Sequence, residues 1–444
     1  MQRLLLTLLE VFPRLSIQHV GRLLNWILIA VVIVIAMIGF LYITRGTAVR
    51  RVRAVGADGS PVSPDEETFP LTVALLTGAV LMPGNEVELV LDGSVFPRLY
   101  EDLRGAKRSI TIQMYYSLLG KVTEQIAEIL SERAKAGVQI FVMYDAFGSS
   151  ALGGDFARKL RDVGVNIIPF RPLRFRNLWI VQNRAHIRGI IIDGEVGWTG
   201  GFGFDDKWLG EGRIGTGWRD TAVRIRGPAV MQLAQAGIAA WAEATGDLFA
   251  GRLVPVARDG GVARAAILYT DPSLGSTAAE RYLALSIAGA RKTLFITNAY
   301  FAPDKNFVGL LVDAARRGVD VQLLVGGPST DVAVARRAAH SRYDPLLAAG
   351  VKIFEYEPTT LHAKTFVADG CWSSIGTMNF DNRSLALNDE VSLMVLDPQF
   401  GQRMDALFRD DLTRSKPVDP AAFANRGWYE HVAEWGANLI TRVL

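Results

Sequence analysis

Cysteine is almost absent from this chain: Cys371 is the single thiol in 444 residues. One thiol excludes an internal disulfide framework and a cysteine-based metal site. Histidine is scarce too, at five residues. No carboxylate cluster has the spacing of metal ligands, so neither a metal nor any other cofactor is expected. Excess charge is also missing. Lys and Arg number 48 against 45 Asp and Glu, a net charge of +3. A dedicated nucleic-acid binder is ordinarily far more basic, so no nucleic-acid partner is expected. What the chain does have is length and apolar content. Half its residues are hydrophobic, enough for two or three domains with ample cores.

In one place charge disappears altogether. Residues 23–44 carry none, and the apolar run inside this stretch is long enough to span a bilayer. Trp26 and Tyr42 sit near its ends, as interfacial aromatics do. The run is too long for a signal peptide, starts late, and has no small-residue cleavage site after it. The pattern predicts one transmembrane helix at 23–44, preceded by an amphipathic segment at 1–22. Arg3, Arg14 and Arg22 precede the run, whereas Arg45, Arg50, Arg51 and Arg53 follow it closely. The denser cluster favours the cytoplasmic side for the rest of the chain. Residues 45–82 read as a linker, polar and rich in Gly, Pro and acids over 55–68. The apolar stretch 71–82 is too short to span and is expected in the soluble core or at the interface.

The chemistry gathers around His362. The pattern there is His362-x-Lys364, then Asp369, then Gly376-Thr377-x-Asn379. Residues 364–368 read as a short buried strand, so His362 and Lys364 point to one face. An imidazole beside an ammonium suits phosphoryl chemistry: the histidine attacks phosphorus or moves a proton, and the lysine neutralises oxygens. A similar frame lies upstream, as His186-x-Arg188, Asp193 and Gly200-Gly201-Phe202-Gly203. The remaining histidines, His19, His340 and His431, fall outside both frames.

The two frames belong to a wider duplication. Gly105-Ala106-Lys107-Arg108-Ser109-Ile110 recurs as Gly289-Ala290-Arg291-Lys292-Thr293-Leu294, and Gly164-Val165-Asn166-Ile167 as Gly350-Val351-Lys352-Ile353. Each half reads strand, helix, strand, helix, strand and motif hairpin. That order implies an α/β sandwich in each half. Similar halves commonly pack about a pseudo-twofold axis, which would bring both motif strands to one site between domains. Counting back eight residues from Pro228 and from Pro398 gives Asp220 and Glu390, at equivalent places. Each catalytic imidazole needs such a partner to fix its tautomer.

The paired frames resemble the duplicated signature of the phospholipase D superfamily. The surrounding residues are most similar to its bacterial cardiolipin synthases. They include Pro83-Gly84-Asn85, Tyr144-Asp145-Ala146-Phe147-Gly148, Trp218-Arg219-Asp220-Thr221, Tyr300-Phe301-Ala302-Pro303 and Asn382-Arg383-Ser384-Leu385. The second frame matches at every defining position. The first has Arg188 where the family has lysine and Gly203 where it has asparagine. The resemblance implies two phospholipase D-like α/β sandwich domains, at 83–255 and 256–420, with one site at their interface. A C-terminal amphipathic helix at 421–444 would follow. The implied catalytic set is His186, His362, Lys364, Arg188, Asp220, Glu390, Asp193 and Asp369. In that set Glu390 orients His362 and, by the repeat, Asp220 orients His186. The two Asp-Gly positions, Asp193 and Asp369, suit hairpin turns more than proton transfer. Asn379, Thr377 and Gly201 are the expected phosphate-binding positions.

The implied reaction passes a phosphatidyl group from one phospholipid to phosphatidylglycerol through a phosphohistidine, in the inner membrane of a bacterium. A phospholipase D hydrolase, a membrane-tethered nuclease and a weakened membrane scaffold stand as alternatives, and the oligomeric state is open, a homodimer included. Three features favour lipid: the spanning segment, the arginine- and aromatic-rich loop 170–179, and a stripe formed by Trp428, Val432, Trp435, Leu439 and Val443. Packing of that stripe on the protein's own core is an equal explanation.

Overall fold

The computed structural model describes residues 17–44, 49–53, 59–173, 182–248, 258–273 and 275–440. It divides into two units, residues 1–47 and 48–444. The first unit holds one helix, Ile17–Thr44, of 28 residues. Its side chains are described without a break only over 21–37. Among the described residues no helix is long and apolar enough to cross a membrane. Most of the expected amphipathic segment, 1–16, lies outside the described residues, as do 174–179 of the arginine-rich loop.

The second unit is built from two halves with one topology. The first half carries β1 (Met82–Leu91), β2 (Ser109–Met114), β3 (Gln139–Asp145), β4 (Asn166–Phe170), β5 (Arg188–Ile192), β6 (Val196–Gly200) and β7 (Thr221–Arg226). The second carries β8 (Ala263–Thr270), β9 (Thr293–Asn298), β10 (Phe301–Ala302), β11 (Asp320–Gly326), β12 (Lys352–Tyr356), β13 (Lys364–Ala368), β14 (Trp372–Gly376), β15 (Phe380–Asp381), β16 (Glu390–Leu396) and β17 (Ser415–Pro417). Across the first half the order is β1-β7-β6-β5-β2-β3-β4, and across the second β8-β16-β14-β13-β9-β11-β12. The two orders correspond strand for strand. Strand β1 pairs antiparallel with β8, so both halves join one 15-stranded sheet, with β17 at one edge. The two expected domains are therefore continuous through a shared ladder, which satisfies the backbone groups that two free edges would expose.

The central strands are buried on both faces; every residue of β5, β6 and β14 is buried. One core packs Phe96, Leu99, Ile126 and Leu130 against the outer face of the first half. A second packs Tyr282, Leu283, Phe307 and Leu311 against the second half. A third unites the halves: Ile187, Ile225 and Leu233 meet Phe295, Leu361, Ile375 and Leu393.

The linker assignment changes here, while the stretch 71–82 does enter the core: Val73, Ala79 and Leu81 are buried with the second half. The segment assigned to a linker contains the helix Phe69–Thr77, whose Phe69 and Val73 are fully buried in the second-half core. Phe69 and Val73, one turn apart, dock it with Leu76 packed beside them, and Leu71 and Leu75 stay exposed. The C-terminal helix, Trp428–Ile440, buries Ala437 against Ala338 and Ala302. Its apolar stripe points outward: Trp428, Val432 and Trp435 are exposed, while Glu434 is buried and paired with Arg426. The side chain of Leu439, and all of Val443, lie outside the described residues.

Candidate active site

Each motif histidine precedes a central strand of its own half, β5 or β13. The backbone then ties it to the other half. Ala185, before His186, bridges Asp389, and Leu361, before His362, bridges Arg219. The Asp389 N–H donates to the Arg184 carbonyl and the His362 N–H to the Arg219 carbonyl. Asp389 and Arg219 directly precede Glu390 and Asp220. Each histidine strand is therefore laced to the acid strand of the opposite half.

The side chains follow the lacing. His186 Nδ1 lies 2.9 Å from both carboxylate oxygens of Glu390. His362 Nδ1 lies 3.1 Å from Asp220 Oδ2. This corrects the expected pairing, in which each acid served its own half. The acids are exchanged because the bridging backbone, not sequence proximity, sets which imidazole each one meets. Their own supports differ. The Thr377 hydroxyl donates to Glu390. Asp220 accepts from Trp208 Nε1 at 2.8 Å and from the Thr221 N–H at 2.7 Å.

His186, Arg188, His362 and Asn379 line one cavity of about 300 Å³. Lys364 is buried beside it and donates to the His362 carbonyl. Arg188 Nη1 donates to His186 Nε2 at 3.1 Å. Burial, then the Arg188 and Lys364 cations, push the His186 pKa well down; burial, then Lys364 and Arg188, do the same for His362. Both imidazoles are thereby kept neutral, with Nδ1–H directed at a carboxyl oxygen and a lone pair on Nε2. Burial pushes the Lys364 ammonium down to about 7, Asp220 up to about 6 and Glu390 up to about 8. An anionic phosphodiester entering here would supply the negative charge that the buried cations need.

Four predicted site residues have other roles. Asp193 accepts from the N–H groups of Lys107, Arg108 and Ser109 at 2.9, 2.6 and 2.9 Å. Asp369 accepts from those of Arg291, Lys292 and Thr293 at 2.8, 2.7 and 2.9 Å. Both have positive φ, 54° and 52°, in hairpin turns completed by Gly194 and Gly370. They latch the hairpin to the repeated Gly-Ala-basic turn, and neither lines the cavity. Thr377 and Gly201 do not line it either. Thr377 holds Glu390, as above. At Gly201 a Cβ would sit 2.3 Å from Asp220 Oδ1 and 2.6 Å from the His362 carbonyl, so glycine admits the orienting acid. Of the three expected phosphate-binding positions, Asn379 alone faces the cavity. Its Oδ1 is buried without a hydrogen-bond partner among the described residues.

The comparisons with known proteins place the chain in a family. The family model described as "Cardiolipin synthase, PLD-like domain" matches residues 99–239 and 283–412. The cardiolipin synthase of Halalkalibacterium halodurans is 31% identical over 383 residues, covering 85% of this chain and 75% of that protein. This chain belongs to the cardiolipin synthase family of phospholipase D-like proteins. Another relative is cardiolipin synthase 2 of Bacillus anthracis, 34% identical over 357 residues, 79% of this chain and 68% of that one. Among solved structures, phosphatidylserine synthase from Haemophilus influenzae has a TM-score of 0.61 at 13% identity, covering 82% of this chain and 97% of that one. That likeness is one of fold. The chain is an enzyme of the phospholipase D type.

Sequence reasoning missed the aromatic wall of this cardiolipin synthase-like site. The Tyr115 ring meets His186 edge-on at 4.6 Å, and the Trp208 and Trp218 rings each lie 5.3 Å from that of His362. Tyr300 lines the same cavity and donates to Asp331 at 2.9 Å. Two tryptophans in the glycine-rich stretch between the first motif and Asp220 were the available signal. Outside the cavity, His340 pairs with Glu355 at 2.7 Å. Burial, and after it Asp369, push the Cys371 thiol up to about 11, which leaves it protonated and unreactive.

Proposed function

We propose that this protein transfers a phosphatidyl group between two phosphatidylglycerol molecules, forming cardiolipin and releasing glycerol. One observation carries the reading: two neutral histidines face one cavity, each oriented by a buried carboxylate, with Arg188 and Lys364 beside them. Such a pair can hold one phosphorus between nucleophile and acid. We assign the attack to His362. Its Nε2 has no hydrogen-bond partner among the described residues, whereas that of His186 accepts from Arg188.

The His362 Nε2 lone pair forms a bond to phosphorus, and the phosphorus–oxygen bond to the glycerol headgroup breaks. The bound anion draws Arg188 and Lys364 to the phosphoryl oxygens, which raises the His186 pKa, so that its Nε2 takes up one proton from solvent as the substrate binds and gives that proton to the leaving alkoxide. His186 then accepts the proton of the second lipid's headgroup hydroxyl as that oxygen displaces His362. Asn379 donates its amide to the same oxygens.

The helix Ile17–Thr44 is proposed as a single span of a bacterial cytoplasmic membrane, with the catalytic unit on the cytoplasmic side as the arginine bias indicates. The outward Trp428, Val432 and Trp435 suit the headgroup region of that membrane. Incubating the full-length protein with phosphatidylglycerol vesicles tests the reading. Cardiolipin and glycerol in equal amounts support it; phosphatidic acid alone would make the enzyme a hydrolase. A phosphohistidine mapped to His186 would reverse the order of the two imidazoles.

A further inference from the structure

Lys207 is a cavity residue that no motif covers. It sits in the short turn Asp206–Trp208, four residues after Gly203. Its Nζ lies 3.9 Å from the centroid of the Tyr116 ring, 4.0 Å from that of Trp218 and 4.8 Å from that of Trp208. The Asp205 carboxylate is 3.7 Å away. Lys207 and all three rings line the cavity that holds both histidines, and two of the rings touch His362. The backbone fixes the box: the Trp218 N–H donates to the Lys207 carbonyl at 2.9 Å.

Three aromatic faces around a cation, with a carboxylate nearby, form a receptor for an ammonium group. Here the chain fills that receptor itself. An ethanolamine or choline headgroup arriving beside His362 would find the ring faces taken and a like charge in its place. A glycerol headgroup meets no such obstacle. Its hydroxyls can donate to the Asp331 carboxylate, which lines the same cavity.

Resting on the phosphatidyl-transfer reading, we propose that Lys207 is a headgroup-selecting residue, whose ammonium plugs an aromatic cage and so reserves the site for polyol headgroups over amine ones. The test uses full-length protein in vesicles of equal phosphatidylglycerol and phosphatidylcholine, measuring released glycerol and released choline. The wild type is expected to release glycerol with little choline. In Lys207→Ala the choline-to-glycerol ratio should rise about tenfold, the size of a desolvated cation–π contact. Lys207→Arg, which restores a cation to the cage, should return the ratio towards the wild-type value. A ratio within about twofold of wild type in Lys207→Ala, with glycerol still released, overturns the selection while leaving transfer intact. Lys207→Ala and Lys207→Met proteins that melt like wild type yet release neither headgroup also overturn it, because the lysine then serves the chemistry and not the choice. A wild type that releases no glycerol overturns phosphatidyl transfer, and this proposal with it.

Discussion

The first half of the catalytic unit departs from its family's motif and the second half keeps it, yet both present an imidazole to the same cavity. The halves reach that result with different parts. The second half supplies Glu390, a longer acid, and steadies it with the Thr377 hydroxyl. The first supplies Asp220, a shorter acid, beside Gly201 and under the Trp208 indole. At Gly203, where the family has asparagine, a Cβ would lie 2.8 Å from the Tyr116 carbonyl and 3.1 Å from the Trp208 ring. The glycine is therefore not simple decay. It makes room for a tryptophan that both holds Asp220 and walls His362, while Asn379 alone keeps the amide. The comparison teaches that a motif position can be vacated when a neighbour takes over its space.

Removing either imidazole is the hardest blow to this paired scheme. His362→Ala and His186→Ala should each lower cardiolipin formation by about three orders of magnitude or more, measured in vesicles. A His186→Ala enzyme that retained wild-type turnover would show that only one half is chemical. The acids come next. Glu390→Gln and Asp220→Asn should each cost about two to four orders of magnitude. The exchange has a direct readout: Glu390→Gln should move the ring-nitrogen NMR signals of His186 and leave those of His362 nearly in place. The reverse pattern would restore the pairing within each half.

The glycines follow. Gly203→Asn, which returns the family residue, should destabilise the protein by about 1–3 kcal/mol in thermal unfolding, because Trp208 and a backbone carbonyl hold the space. A more stable, faster variant would mean that the glycine is decay after all. The cations show the smallest effects. Arg188→Lys keeps the charge and should alter turnover by less than about tenfold. Burial holds Lys364 near 7, so its ammonium is present below that pH and lost above it. kcat/KM should fall as pH rises through about 7, and Lys364→Arg should carry that limb upward. A limb that stays put in this variant would belong to another group.

The duplication, the alternation of strands and helices, and both histidine frames were legible because local rules write them. The repeated stretches 105–110 and 289–294 lead into the equivalent strands β2 and β9. The partner of each imidazole was not legible. Asp220 follows His186 in the chain and Glu390 follows His362, so sequence order favours the wrong pairs. Only the bridges Ala185–Asp389 and Leu361–Arg219 decide the matter, and they join residues about two hundred and about one hundred and forty positions apart. The roles of Gly201 and Thr377 were hidden for a related reason, since one admits and the other binds an acid that lies further along the chain. Lys207 escaped because its box closes only when Tyr116, about ninety positions upstream, meets the two tryptophans of its own loop.

The exchanged acids also bear on how this protein is made. A ribosome that has released residues 1–300 has already produced His186, Arg188 and Asp220, but not Glu390 or His362. Such an unfinished chain has one imidazole without its carboxylate and one carboxylate without its imidazole. The oriented pair of imidazoles is thus withheld until residue 390 has been made, so a chain broken off before that point lacks the complete site.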